Sequence, residues 1–438
     1  MLNRRQFFKG AMTAAGTALV ARLIPNAAAA DLNKSEISSC KTETFIPPNG
    51  AGYKPVITTN GATLPWKMVD GVKVFHLVAE PVTHEFAPGL VADCWGYNGR
   101  VHGPTIEAVE GDHVRIYVTN RLPEATTVHW HAIFLPNGMD GVGGLTQKAI
   151  QPGETFMYEF PLIQHGTFMY HPHHDEMTQM ALGMMGLFII HPREPKGPPV
   201  DHDFAIMLSE WAIDVGARRP NPSEMTDFNV LTMNARCFPG TAPLVVKKNS
   251  RVRIRFGNLS AMDHHPIHLH GHRFFVTNTD GGEIPESARW PETTVLVAVG
   301  QTRTVEFIAD VPGDWAMHCH MSHHVMTQMG HHFGNVIGMD TAGLSKEISK
   351  LVPGYMAMGQ DGMGDMGDMG MPVPKNSLPM VGAEGQFDYI TMGGMFTILK
   401  VRDEVPADNA DPGWYQNPPG TVSEVAPETN LKRDGIQT

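Results

Sequence analysis

The sequence predicts an all-β protein built from two similar sandwich domains, with an extension at each end of the pair. Three observations carry that expectation. A stretch of chain occurs twice, the segments leading into each copy alternate apolar and polar residues, and the glycines within the copies fall in register.

The repeat is seen when Gly153 is laid on Gly300. The first copy runs through Glu159-Phe160 and Gly166 to His171-Pro172-His173, and the second through Glu306-Phe307 and Gly313 to His318-Cys319-His320. Upstream, Val114, Ile116 and Val118 lead to His129-Trp130-His131, while Val252, Ile254 and Phe256 lead to His268-Leu269-His270. A period of two marks half-buried strands rather than helices. Each copy therefore reads as one strand-rich sandwich of ordinary domain size, placed at residues 66–195 and 196–345. Residues 31–65 read as an extended N-terminal arm. Residues 346–438 show no clear periodicity and read as a C-terminal extension holding a Met-rich segment, which no composition of Gly, Met and Asp could turn into a core.

Residues 1–30 are set apart. Arg4-Arg5 precedes an Ala-rich apolar stretch and Ala28-Ala29-Ala30, the layout of a twin-arginine export signal with a small-residue cleavage site, which implies a periplasmic mature protein. No later segment is long and apolar enough to span a bilayer as a helix. The formal charge of −12 becomes −16 once Arg4, Arg5, Lys9 and Arg22 are removed with the signal, which argues against nucleic acid as a partner. With 42% hydrophobic and 18% charged residues the chain is not globally disordered. Of four cysteines, Cys319 sits between two histidines; the export signal permits a disulfide among Cys40, Cys94 and Cys237, and the sequence does not choose the pair.

The chain carries 23 His and 28 Met, an excess of transition-metal and soft Cu(I) donors. The His-x-His pairs at 129/131, 171/173, 268/270 and 318/320 supply eight imidazoles. On a strand both members of such a pair face one side, so one pair reaches two adjacent metals. A single pair is as often an ordinary surface or core histidine; four pairs locked into one duplicated frame are not.

These motifs resemble those of the multicopper oxidases: His129-Trp130-His131, His171-Pro172-His173, His265-Pro266-Ile267-His268-Leu269-His270, and His318-Cys319-His320 with His324 and Met329 beyond it. The resemblance spans most of residues 90–335. It implies two cupredoxin-like Greek-key sandwiches and four copper ions per active site. His265, Cys319 and His324 would hold the type 1 copper with Met329 as axial ligand, and His129 and His268 the type 2 copper. His131, His171, His173, His270, His318 and His320 would hold the type 3 pair. His323 is the one competitor to His324, and His174, His331 and His332 fall off the pattern. The implied activity is one-electron oxidation of a small reductant coupled to reduction of O2 to water.

In the first copy Pro172, Met177 and Leu182 stand where the second has Cys319, His324 and Met329, so only the second domain carries a blue-copper donor set. That matches the two-domain members of the family, and implies a homotrimer whose clusters form between neighbouring subunits. Reduction of O2 also consumes protons. Asp140 is the first candidate to deliver them, against the plain alternative of a turn residue before Gly141; Glu292 is the second. The reductant is left open among phenols, other small molecules and Cu(I). Met356, Met358, Met363, Met366, Met369 and Met371 either handle Cu(I) or form a flexible loop. Two rivals stand beside this reading, a copper nitrite reductase-like enzyme and a periplasmic copper-sequestering protein. The first would carry its blue copper in the first domain; the second has no use for His-Cys-His at this spacing.

Overall fold

A computed structural model describes residues 53–214, 216–327, 342–351, 375–379, 382–406 and 410–438. The signal-like segment, Cys40, Met329 and the Met-rich stretch lie outside the described residues.

The first sandwich pairs a sheet of Trp66–Val69, Val72–Ala87, His113–Asn120, Thr155–Pro161 and Leu90–Tyr97 with a sheet ordered Ile106–Val109, Gly186–His191, Gly166–His171, His129–His131. Alternation in His113–Asn120 turns Val114, Ile116 and Val118 inward, where they meet Trp130, Phe160, Phe168, Tyr170 and Phe188. Burial of these large side chains is the main term holding the layers together, at about 1.5–3 kcal/mol each.

The second sandwich repeats the plan. One sheet is centred on His202–Trp211, Arg251–Asn258, Thr302–Ile308 and Phe274–Thr279; the other is ordered Leu244–Lys247, Phe396–Arg402, Gly313–Cys319, His265–Leu269, Thr294–Val297. Val252, Ile254, Phe256, Ile267, Met317 and Leu399 share its core.

Two segments placed outside the domains by sequence lie inside the second one. Ile57–Thr58, from the N-terminal arm, pairs parallel to Phe204 and Ala205. Phe396–Arg402, from the C-terminal extension, runs antiparallel to the Cys319 strand, with His318 opposite Phe396 and Asp314 opposite Lys400. The reason is burial on both faces: Leu399 and Val401 enter the core, while Phe396 and Ile398 form a small outer cluster with Phe238. Such a strand shows no clean alternation.

Cys94, Cys237 and Cys319 are free and buried. Burial pushes the Cys94 and Cys237 thiols up to about 12, as expected of inert core cysteines. Among the described residues no helix is long and apolar enough to cross a membrane.

Candidate metal centres

Alternation along Gly313–Cys319 sets up everything that follows. Met317 and Cys319 point into the core, so His318 points out of the opposite face, and His320 continues that outward row. The neighbouring strand does the same: His265, Ile267 and Leu269 face inward, His268 outward.

Inside, three donors converge. Cys319 Sγ lies 3.4 Å from His324 Nδ1 and 3.8 Å from His265 Nδ1, and the two Nδ1 atoms are 3.2 Å apart. A trigonal metal with bonds of about 2.0–2.3 Å places its ligand atoms at such separations. All three side chains are buried. The outer nitrogen of His265 meets Ser260 Oγ at 2.7 Å, and His324 Nε2 lies 3.3 Å from Asp263 Oδ2, which leaves both Nδ1 atoms directed at the sulfur. Burial, reinforced by His324 and His264, holds His265 far below the usual imidazole range, so it is a neutral ligand. Burial also pushes the Cys319 thiol up to about 12. A thiolate there therefore requires a cation beside it, and thiolate with two imidazoles is the donor set of a blue copper.

The backbone around this triangle is laced to the late strand. Cys319 N–H donates to Met395 O at 3.1 Å and Met395 N–H to His324 O at 3.0 Å. Gly394 is left-handed (φ +54°), and a Cβ there would stand 2.5 Å from His324 O, so only glycine fits.

On the outer faces the eight remaining imidazoles form two sets of four. His129, His131, His171 and His173 pack against one another, mostly edge to face, on the first domain, and His268, His270, His318 and His320 on the second. Main-chain carbonyls fix the rings. His129 Nδ1 donates to Asp140 O at 2.8 Å, His171 Nδ1 to Pro172 O at 2.9 Å, His318 Nδ1 to Cys319 O at 2.9 Å, and His268 Nδ1 to Thr293 O at 2.8 Å. His131 is reversed: Nε2 donates to Gly300 O at 2.9 Å, leaving Nδ1 as the lone-pair atom. That lone pair faces His171 Nε2 at 3.3 Å, and His270 Nε2 faces His318 Nε2 at 3.2 Å. In the His131–His171 pair both facing atoms are acceptors, an arrangement that repels unless a cation lies between them. Burial lowers the pKa of His131, His270 and His318 and takes His171 down to about 3, so these rings are neutral at ordinary pH and fit copper.

Among the described residues no hydrogen bond or ring contact joins one set to the other, and the strand geometry shows why. Gly300 O holds His131, while Val299 N–H, one residue earlier, donates to His264 Nδ1 at the start of the strand His265–Leu269. His270 lies past the far end of that strand, roughly 16 Å away at about 3.3 Å per residue. Within one chain the loop that holds His131 thus meets the His264 end of this strand, and His270 lies past its other end.

Asp140 and Glu292 flank these sets. Asp140 contributes its main-chain oxygen to His129 and brings a carboxylate oxygen to 3.5 Å from the same nitrogen. Glu292 accepts from Trp290 Nε1 at 2.9 Å and immediately precedes Thr293, which fixes His268; its second carboxylate oxygen is buried with no hydrogen-bond partner among the described residues. Met329 lies outside the described residues. Asp263, Ser260 and the carbonyls of Gly300 and Thr293 were not singled out by sequence. Only Asp263 left a trace there, as an acid two residues before His265.

Two sandwiches carry a buried Cys-His-His triangle and two faces of paired imidazoles, donor sets that fit copper. Sequence models described as multicopper oxidase match residues 78–195 and 214–337, and the chain belongs to that family. It is 28% identical over 366 residues to Copper resistance protein A of Escherichia coli, covering 72% of this chain and 56% of that protein. Among solved structures it resembles the multicopper oxidase mgLAC (29% identity, TM-score 0.56, 77% of this chain and 88% of that one). It also resembles the blue copper oxidase of Nitrosomonas europaea (26% identity, TM-score 0.56, 75% and 85%). The chain spans about half the length of the curated relative from Escherichia coli.

Proposed function

We propose that this protein is a periplasmic oxidase, exported by the twin-arginine route, that withdraws electrons one at a time from a small reductant and passes them to O2, forming water. The observation that carries the reading is the alternation at His318-Cys319-His320. A sulfur directed at the inner triangle is joined by consecutive main-chain bonds to imidazoles directed at the outer set, so electrons need no diffusing carrier.

His265, Cys319 and His324, with Met329 as a further donor, would hold the mononuclear type 1 copper. His129 and His268 would hold the type 2 ion, and His131, His171, His173, His270, His318 and His320 the type 3 pair. When bound, copper supplies the one-electron chemistry at the triangle and the four-electron reduction of O2 at the cluster. The chain supplies the rest. Carbonyls of Asp140, Pro172, Cys319, Thr293 and Gly300 orient the rings, and Asp140 beside the first set, with Glu292 beside the second as the other candidate, delivers protons.

Two half-sets separated by a strand length support completion between copies: the first domain of one subunit meets the second domain of the next, and head-to-tail closure gives a homotrimer. The acidic surface suits a cationic donor, and the Met-rich segment suits Cu(I), whose softness matches thioethers. Oxygen uptake by the copper-loaded protein, compared across Cu(I), Fe(II) and a phenol with nitrite as an anaerobic control, tests the reading. Fewer than four coppers per chain, or no oxygen uptake with any donor, would sink it.

A further inference from the structure

Beyond Tyr415 the chain makes an arm with no core of its own. Every residue from Gln416 to Thr438 is exposed except the half-buried Leu431, and Val425 stands 96% exposed. Apart from Gln416 Nε2, which donates to Trp414 O, its hydrogen bonds here are internal: Thr421 N–H and Oγ1 donate to Pro418 O, and Asn430 N–H caps against Pro427 O before the short helix Glu428–Arg433. Pro418, Pro419 and Pro427 restrict its backbone, which lowers the entropy lost when such a segment is ordered against a partner.

The root of the arm is, by contrast, heavily fixed. Buried Lys400 donates to Asp411 Oδ1 at 2.6 Å and lies 4.9 Å from the Trp414 ring. Arg402 donates to Asp314 Oδ1 at 2.6 Å and to Gly413 O at 2.7 Å, and Tyr415 N–H donates to Asp314 Oδ2 at 2.8 Å. Asp314 and His318 lie on one strand and point out of the same face, four residues or about 13 Å apart. The arm therefore leaves the molecule beside the second domain's open imidazole set.

The first domain's set has its own neighbour, a groove of about 820 Å³ lined by Gly143, Leu145, Gln147, Gln151, Phe156 and His174. Gly143 N–H donates to His173 O, which places the groove against that set, and Leu145 is left 81% exposed at its edge. Joining the two sets between copies brings the root of one arm next to the groove of the other copy. Residues 416–427, twelve in number, reach up to about 40 Å when extended, enough to cross it.

We propose that residues 416–438 of each chain lie in the groove at residues 143–156 of the neighbouring copy and clamp it onto the shared cluster. The inference rests on the trimer reading above. Sedimentation velocity on the copper-loaded full chain and on a chain ending at Tyr415 tests it, together with a photo-reactive amino acid at Val425. The expected results are a full-length trimer, a truncated chain whose trimer dissociates at tenfold or higher concentration, and cross-links from position 425 to peptide 143–156 of another chain. A truncated trimer that dissociates at the same concentration as the full chain, or cross-links confined to one chain, would overturn the arm alone. A full-length monomer carrying four coppers would overturn the trimer reading and the arm with it.

Discussion

Asp263 holds a carboxylate oxygen 3.3 Å from Nε2 of His324, the ring nitrogen that does not face Cys319. Behind it, burial and the Asp263 charge push Glu210 up to about 8, while Glu210 Oε1 accepts from Met262 N–H at 2.6 Å. Asp263 thus sets a carboxylate beside the triangle. Asp263→Asn removes it, and the oxidised, more positive state of the site loses that stabilisation. A rise of the type 1 reduction potential on the order of 50–100 mV is expected at an effective dielectric near 20. Redox titration of the blue band measures it, and an unmoved potential would show the carboxylate to be electrostatically idle.

Asp140 serves His129 through a main-chain oxygen and the cluster through its side chain. Asp140→Asn keeps the first and removes the second. Copper content and blue absorption should stay at parental level while oxygen turnover slows by about 10²-fold, the lower range for loss of a positioned acid. Unchanged turnover would take Asp140 out of the proton path.

Gly394→Ala should strike the copper site from a distance. The added methyl collides with His324 O and Met326 O in a backbone conformation that disfavours alanine. A loss of about 1–3 kcal/mol in unfolding free energy is expected, accompanied by a shifted blue band because the His324 turn must move. Denaturant titration and absorption spectra read the two effects separately.

Acid should destabilise the fold through histidines that bind no metal. Burial takes His102 down to about 3 and His84 to about 4, against an ordinary value of 6.5. Both pKa values are depressed on folding, so the unfolded chain binds more protons. The stability they contribute is whole above pH 6.5 and is lost as pH falls toward 4. Each group steepens that loss by about 1.4 kcal/mol per pH unit. His102→Asn should make the slope of unfolding free energy against pH shallower by that amount between pH 6 and 4; a parental slope would contradict the assignment.

Much of this was legible in the sequence because strands leave a period and metal ligands leave a spacing. The duplicated frame pointed to two sandwiches, and His265, Cys319 and His324, singled out by the family resemblance, have ligand atoms within 4.8 Å of one another. The strand Phe396–Arg402 was missed because both its faces are covered, which erases alternation. The place of Ile57–Thr58 was hidden because two residues pairing with a partner beyond position 200 carry no local signal. The supports of the rings were invisible for another reason: five are main-chain carbonyls, which every residue possesses, and only the path of the chain decides which of them meets a ring.

That late strand also sets the order of events at the ribosome. One of the two partners of the Cys319 strand is translated only after residues 328–395 have emerged, and it brings the Gly394-Met395 turn that fixes His324. A chain cut short anywhere before residue 396 lacks the neighbour that closes its sulfur pocket. The pocket around the sulfur is thus closed by a strand that lies more than seventy residues beyond its ligands.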